Sequence, residues 1–588
     1  MLAAPETCTT IAHYLQFRAQ RQPSDIAFRW LAAGDQVETV TWSELYGRAS
    51  ACAAAIRERV APRSHVVLCL PQGLDFIAAI FGCFFADCTA VPVYPPDSAK
   101  TLPRFKNIVE DSNACLVITS DAIAGRIERL SVDAPVALPL LLMEEIAPGA
   151  GAADIVLPRP EQLALLQYTS GTTSAPKGVM IGHDHLLHNE YAAAQAYRVG
   201  DTPHLVSWLP FYHDMGLMGG VLFPVYKGIA ATLMSPATFL RNPAQWLRVM
   251  SETRATISGG PNFAFEMCAT RIADDVIDNL DLSNWQTAVC GAEMIRPQTV
   301  TKFIQRFSRA GFRPQAFTAS YGLAEATLYV TSSDHQQPLF DSPRDNDTQF
   351  TSCGKTRVGC IEIVDPYSGQ RCDPGELGEI WIRTPSVGAG YWNRERESQE
   401  IFNVILSGAS SDASPDTLPH GVNADPVESD AGFLRSGDLG FTRDGNLFVT
   451  GRLKELIILR GKNYSPQDIE IAAAQSNPAF SGMQCAAFAV DTDTGDKLVV
   501  VQEVSRRLLD GQPTAHLQAD IRLALRAALA VDADDIVLVR QNSLPRTSSG
   551  KLQRTQVKAL YGNDALERLA DNPADRQPNR QNSDGISV

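Results

Sequence analysis

The segment YTSGTTSAPKG, Tyr168 to Gly178, carries the most evident capacity for chemistry, and it follows directly on the apolar run LALLQ. Thr169, Ser170, Gly171, Thr172 and Thr173 offer small hydroxyls and unobstructed backbone N–H groups, and Lys177 adds one cation. That combination suits a polyphosphate, whose oxygens need many donors, little steric obstruction and positive charge. The spacing is not that of a GxxxxGK[ST] loop, because Pro176 precedes the lysine and Gly178 follows it. A plain flexible linker would not abut a buried strand and end in Pro-Lys-Gly.

Further segments combine turn residues with isolated charges. They are SWLPFYHDMGLMGG (207–220), CGAEMIRPQTV (290–300), ASYGLAEATL (319–328), LRSGDLGF (434–441), GRLKELIILRGKNYSPQDIE (451–470) and LPRTSSGKLQR (544–554). Taken singly, each has an ordinary reading. A lysine in a Ser/Gly turn is a solvated side chain, and a histidine after an aromatic pair is a satisfied core group. His183, His185 and His188 in IGHDHLLHNE could suggest zinc. On a helix, however, positions two apart face different ways, which leaves only His185 and His188 able to share a side. No Cys/His partner cluster lies nearby, so zinc is not expected.

These segments must be held by a framework, and the first half of the chain supplies one. HVVLCL (65–70), TAVPV (89–93) and CLVITS (115–120) are short apolar runs of buried-strand type, separated by the helical stretches LDFIAAIFGCFFA and LPRFKNIVEDSN. The pattern returns at LALLQY (163–168), HLVSWLP (204–210) and TAVCGA (287–292). Strands alternating with helices of that length predict an α/β fold, with parallel sheets covered by helices. Residues 404–430 are rich in Ser, Asp, Pro and Gly and read as a mobile surface loop. The tail 562–588 reads as disordered beyond one frayed helix.

Composition narrows the class. The chain has 588 residues, 45% hydrophobic and 20% charged, with a net charge of −15. That is a globular enzyme-sized protein, and its acidity argues against nucleic-acid or anionic-lipid partners. Twelve cysteines without a CxxC pair read as free thiols in a reducing compartment. The N-terminal residues lack a basic stretch followed by an apolar core, and the longest apolar run, Phe76 to Ala86, falls short of the ~20 residues of a membrane span. A cytoplasmic location with no integral membrane segment is therefore expected. Charge also shifts along the chain. Residues 1–456 carry −14, whereas 457–560 hold twelve cations against eleven anions, and the rest carries −2. The expected division is a large domain over 1–450, a hinge at 451–456, a small domain over 457–561 and the tail.

In order and spacing, the segments resemble the adenylate-forming superfamily of acyl-CoA synthetases, peptide-synthetase adenylation domains and luciferases, from about Thr9 to Leu560. WLPFYHDMGL, CGAEMIRPQTV, PPDSAKTLPRFKNIVEDSNA and GRLKELIILRGKNYSPQDIE are similar to those of its fatty acyl-AMP ligases. The resemblance implies ATP as co-substrate, Mg2+ as cofactor, a medium or long fatty acid as substrate, and an acyl carrier protein as acceptor, feeding polyketide or lipopeptide assembly. It also implies a mobile α+β C-terminal domain. By the same carry-over, Lys551 is the catalytic lysine, Glu325 holds the metal, and His213 lies near the carboxylate and α-phosphate. Thr169 to Thr173 and Lys177 bind phosphates. Tyr321 and Gly322 form one wall for adenine, with Gly291 and Ala292 as the other. Asp438 accepts the ribose hydroxyls, Arg452 makes a second ribose or phosphate contact, and Lys454 is the hinge.

An acyl tunnel would draw on FADCTAVPV, GLMGGVLFPVY and GGPNFAFEM, since each buried methylene contributes ~0.8 kcal/mol; plain core packing explains the same residues. Residues 328–353 are short for the element by which such ligases disfavour coenzyme A, which keeps an acyl-CoA synthetase as the alternative. A non-catalytic lipid- or nucleotide-binding module is the alternative of another class. Two anions must meet in the adenylation step, and removing one positioned cation there costs on the order of 10²–10³ in rate. Lys551→Ala should therefore slow fatty-acid-dependent pyrophosphate release by that factor, and an unchanged rate would refute the assignment.

Overall fold

The computed structural model describes residues 7–32, 36–131, 138–147, 155–169, 176–200, 202–334, 339–341, 349–356, 359–406, 432–459, 462–480, 482–490, 496–505, 513–546 and 552–569. The chain divides into two compact units, Met1–Thr450 and Gly451–Val588.

Three sheets build the first unit. One runs in the order Leu140–Leu142, Leu116–Thr119, His65–Cys69, Thr89–Pro92, Leu163–Tyr168, Gly178–Gly182, parallel except for the last pair. Its central strands are buried along their whole length, which is why they read as unbroken apolar runs. The helices Leu74–Phe85 and Leu102–Asp111 cover it; the first buries every side chain except Asp75. The second sheet has eight strands. Phe317–Gly322, Thr287–Cys290, Ile257–Gly260, His204–Ser207, Ala230–Met234 and Ile26–Leu31 are parallel, flanked by antiparallel Tyr329–Ser332 and Val37–Thr41. Beside it Trp246, Trp285, Phe265, Phe303 and Phe317 meet edge-to-face, and one hydrophobic cluster joins both sheets. The parallel α/β expectation holds for these two layers.

The third sheet departs from it. Phe340–Asp341, Phe350–Lys355, Asn446–Arg452, Leu434–Arg443, Gly378–Ile382 and Ile361–Val364 lie side by side with antiparallel pairs. Such strands need no intervening helix, so the strand–helix rhythm gives no sign of them. The segment expected to be a loop, 404–430, lies outside the described residues from 407 onward. Before that point Leu406 is buried, and Val404 bridges Phe433.

The second unit is α+β. Cys485–Val490, Lys497–Val504 and Asp535–Arg540 form a sheet whose alternate residues feed two clusters, Leu498 and Val500 on one face, Val499 and Val501 on the other. Helices Pro466–Gln475, Thr514–Leu529 and Arg554–Gly562 accompany it. Arg554 grips Glu470 with two bonds, of 2.6 and 2.7 Å, and Glu455 with a third of 2.8 Å. The expected disorder from residue 562 is corrected as far as Leu569. Leu569 N–H donates to Leu538 O at 2.8 Å, Arg568 bridges Val539, and Leu566 packs on the core, because these apolar side chains find a sheet edge to cover. Residues 570–588 lie outside the described ones. Among the described residues no helix is long and apolar enough to cross a membrane.

The histidine segment is the helix His183–Ala196. His183 is buried edge-on against Phe84 with no partner for Nδ1, and His185 Nδ1 accepts the Gly182 N–H at 3.0 Å. Among the described residues no three His, Cys, Asp or Glu are grouped to hold a metal ion. Burial drives the His183 pKa down to about 3. The imidazole stays neutral in the folded chain but takes a proton in the unfolded chain below about pH 6.5. It therefore contributes stability above that pH, on the order of a few kcal/mol, and the contribution is lost as pH falls toward 3. All seven tryptophans lie in the first unit. The urea midpoint followed by tryptophan fluorescence should fall between pH 6.5 and 4, and less steeply in His183→Asn; equal slopes would contradict this.

Candidate active site

In open α/β sheets, ligands lie beyond the carboxyl ends of the parallel strands. In the eight-stranded sheet several of the sequence-selected residues occupy those ends. Gly291 and Ala292 follow Thr287–Cys290, and Tyr321 and Gly322 end Phe317–Gly322. A Cβ on Gly291 would stand 2.8 Å from Ser320 O, so the two strand ends approach as only glycine allows. Ala292 adopts φ 63°, a conformation alanine rarely takes, and it marks a forced turn at this edge.

Tyr321 reaches across to the third sheet, where its hydroxyl donates to Asp438 Oδ2 at 2.8 Å, with both residues buried. Asp438 is aimed by a second buried carboxylate. Glu379 accepts from Gly437 N–H at 3.1 Å, from Trp381 Nε1 at 3.0 Å and from Arg435 at 2.8 and 3.0 Å. The bend at Ser436–Gly437 is thus fixed from beneath, and Asp438 projects from it.

Glu325 does not lie on an α-helix. Strand Phe317–Gly322 runs through Tyr321 and Gly322, and Glu325 sits in the single 3-10 turn Ala324–Ala326. The turn closes through Thr327 at φ 68°, ψ −59°, with Leu328 N–H donating to Ala326 O at 2.9 Å. Positive φ is strained for a β-branched residue, costing about 1–3 kcal/mol, and such strain collects at functional sites. The fully buried Thr327 is held there by its hydroxyl, which donates to Ser386 O at 2.7 Å. Glu325 Oε1 accepts from the Tyr391 hydroxyl at 2.7 Å. Burial, then the charge of Glu325, pushes the Tyr391 pKa far up, so the phenol remains a donor.

Tyr391 also carries the lysine. Lys177 Nζ lies 5.0 Å from its ring centroid and forms an ion pair with Glu397. The residues around Tyr391 extend strand Gly178–Gly182: Met180 N–H donates to Gly390 O, Ala389 N–H to Met180 O, and Trp392 N–H to Gly178 O. At the loop's base Thr169 N–H donates to Lys177 O at 3.0 Å, and Arg104 reaches Thr169 O at 3.3 Å. Ser170, Gly171, Thr172 and Thr173 lie outside the described residues, as does Lys551. His213 caps the short helix Asp214–Leu217, its Nδ1 2.5 Å from Asp214 Oδ1. Gly216 is required there, since a Cβ would fall 2.0 Å from Pro210 O. In the second unit Arg452 ends a strand and Lys454 lies in the 3-10 turn Leu453–Glu455, both exposed.

Lys177 is thus held over the Tyr391 ring, whose hydroxyl bonds Glu325, and Tyr321 bonds Asp438. Sequence reasoning missed Tyr391, Glu397 and Thr327. The GYW at 390–392 was the available signal for the first, and nothing local marks the others. For a divalent cation the donor set offers one carboxylate, Glu325, steadied by a phenol. That suits Mg2+, which takes one or two carboxylates together with phosphate oxygens and does not require an all-protein cage.

The family model described as AMP-binding enzyme matches residues 15–392. The medium-chain-fatty-acid–[acyl-carrier-protein] ligase JamA of Moorena producens is 36% identical over 591 residues, 95% of this chain and 96% of that protein. The long-chain-fatty-acid–AMP ligase FadD23 of Mycobacterium tuberculosis is 34% identical, covering 91% and 93%. A crystal structure of fatty acyl-adenylate ligase from Legionella pneumophila, in complex with acyl adenylate and pyrophosphate, superposes with a TM-score of 0.70 at 34% identity, covering 95% of this chain and 97% of that one.

The Tyr321–Asp438 bond permits a direct test. Tyr321→Phe removes one donor from a buried carboxylate, which costs about 1–3 kcal/mol. Urea unfolding read by tryptophan fluorescence should show that loss, and an unchanged midpoint would mean that the bond contributes nothing.

Proposed function

Because the chain belongs to the AMP-binding enzyme family, and within it to the fatty acyl-AMP ligases, we propose that it activates a medium- or long-chain fatty acid with ATP and hands the acyl group to an acyl carrier protein. A carboxylate oxygen attacks the α-phosphorus, the α–β phosphoanhydride bond breaks and pyrophosphate leaves. The acyl carbonyl of the mixed anhydride then accepts a thiol, and AMP departs. The observation that carries this reading is the Lys177–Tyr391–Glu325 chain, which sets a cation and a metal-seeking carboxylate around one phenol beside the Tyr321–Asp438 pair.

Each residue is assigned a part in this reading. Lys177, with the donors of Thr169 to Thr173, holds the β- and γ-phosphates. Mg2+ at Glu325 would neutralise charge on the phosphate oxygens. Tyr321, Gly322, Gly291 and Ala292, at two closely approaching strand ends, border the adenine. Asp438, acceptor-only when ionised, takes the ribose hydroxyls. Arg452 supplies the second ribose or phosphate contact, and His213 lies by the carboxylate. Lys551 brings the cation that lets the two anions close, and Lys454 is the pivot on which the small domain turns between the half-reactions. The hinge is taken as 451–456, between a 1–450 domain and a 457–561 domain.

For the carrier protein, an acidic partner would be repelled by a body of net −14 and received by the near-neutral small domain. Arg522 and Arg526 on helix Thr514–Leu529 are the candidate contacts. Both hold Asp532, with side chains 37% and 63% exposed, so part of their charge is already spent locally. A cytoplasmic site of action fits such a partner.

Mass spectrometry of products settles the acceptor. With ATP, Mg2+, graded fatty acids, coenzyme A and a carrier protein offered together, acyl-AMP and acyl-carrier should accumulate, with acyl-CoA at least tenfold slower. Comparable acyl-CoA formation would make the chain an acyl-CoA synthetase. Absence of pyrophosphate release with every acid would make it a non-catalytic binding module.

A further inference from the structure

The segment Tyr391–Ser398 grips both ends of the loop that carries Lys177. At the entrance, Tyr168 donates its hydroxyl to Asp111 Oδ2 at 2.6 Å. Asp111 in turn pairs with Arg394 at 3.1 Å, and its carbonyl accepts from Asn393 at 3.2 Å. At the exit, Lys177 lies over the Tyr391 ring and pairs with Glu397. Ser398 locks this geometry: its hydroxyl accepts the Tyr391 N–H at 2.9 Å and donates to Arg394 O at 2.8 Å, so helix Glu395–Ile401 starts in fixed register with Tyr391.

The two grips differ in kind. Tyr168, Asp111 and Arg394 are joined by several bonds, and Tyr168 is buried. The Lys177–Glu397 grip includes an ion pair between side chains 20% and 39% exposed, the type that water and competing ions open readily. A triphosphate reaching Lys177 would bring several negative charges toward the Glu397 carboxylate, and one ammonium cannot serve both fully. The ring of Tyr391 keeps Lys177 nearby whichever anion holds it.

Resting on the reading of Lys177 as a phosphate ligand, we propose that Glu397 is a positioning residue that parks Lys177 in the nucleotide-free enzyme, and that the polyphosphate of ATP takes the lysine from it. Glu397 thereby sets the affinity for the triphosphate without touching it. Nucleotides lacking the β- and γ-phosphates are indifferent to the exchange.

The test is calorimetric titration of α,β-methylene-ATP with Mg2+ into the full-length wild type, E397Q, K177M and the double variant, with AMP as the comparison ligand. E397Q should bind the analogue three- to tenfold more tightly and AMP no differently. In the K177M background the same substitution should change nothing, an outcome that a merely structural role for Glu397 would not produce. Unchanged or weaker binding by E397Q, or a gain that persists without Lys177, overturns the proposal. Failure of the wild type to bind the analogue at all overturns the ligase reading, and this inference with it. Because Trp392 adjoins Tyr391, fluorescence melting of each variant shows whether a loss reflects unfolding.

Discussion

Electrostatic repulsion between two reactants of like sign is the constraint on which the arrangement turns. A fatty carboxylate approaching a phosphate at 4 Å meets about 4 kcal/mol of opposition at an effective dielectric of 20. A chain carrying −15 overall has to concentrate positive charge locally and hold it there. It does so with neutral intermediaries. Tyr391 stands between Lys177 and Glu325, and Tyr321 stands between the strand ends and Asp438. Phenols suit this task, because a buried hydroxyl donates to a carboxylate without adding a charge of its own, and the ring can still attract an ammonium.

Support for these pairs comes from below. Glu379 is buried yet pairs with Arg435, and it also accepts from the Gly437 backbone and from Trp381. Only the carboxylate is buried, the Arg435 side chain being 34% exposed, and the four bonds that Glu379 accepts make the bend that bears Asp438 more rigid than its Ser-Gly sequence suggests. Arg554 plays the corresponding part in the small unit, where its two carboxylate partners, Glu455 and Glu470, more than offset the burial that would otherwise lower its pKa. In both places a charge is tolerated inside because every atom of it is engaged.

Much of this was legible in the sequence where the signal is local. His65–Cys69, Thr89–Pro92 and Leu163–Tyr168 announce themselves as apolar runs because both faces of a parallel strand are covered. The Pro-Lys-Gly close and the Ser-Gly-Asp bend stood out because they interrupt such runs. What stayed hidden depends on partners far along the chain. Tyr391 gains its meaning from pairing with Val179, and Glu397 from Lys177, each more than 200 residues away. In the YGLAE segment Thr327 at positive φ and the edge strand after it impose a single turn, which no local pattern of residues announces. Leu566 and Leu569 were too few to reveal that the chain past Gly562 still has a sheet edge to cover.

A mixed anhydride is a potent acylating agent, and this chain would generate it among twelve free thiols of its own. Eight of those are buried, and burial raises the pKa of Cys88 to about 11 and of Cys52 to about 12. Thiolate, not thiol, is the nucleophile, so at neutral pH these sulfurs are almost entirely in the inert form. Desolvation thus shields these buried sulfurs from the protein's own product, whereas Cys115 lies exposed on the surface.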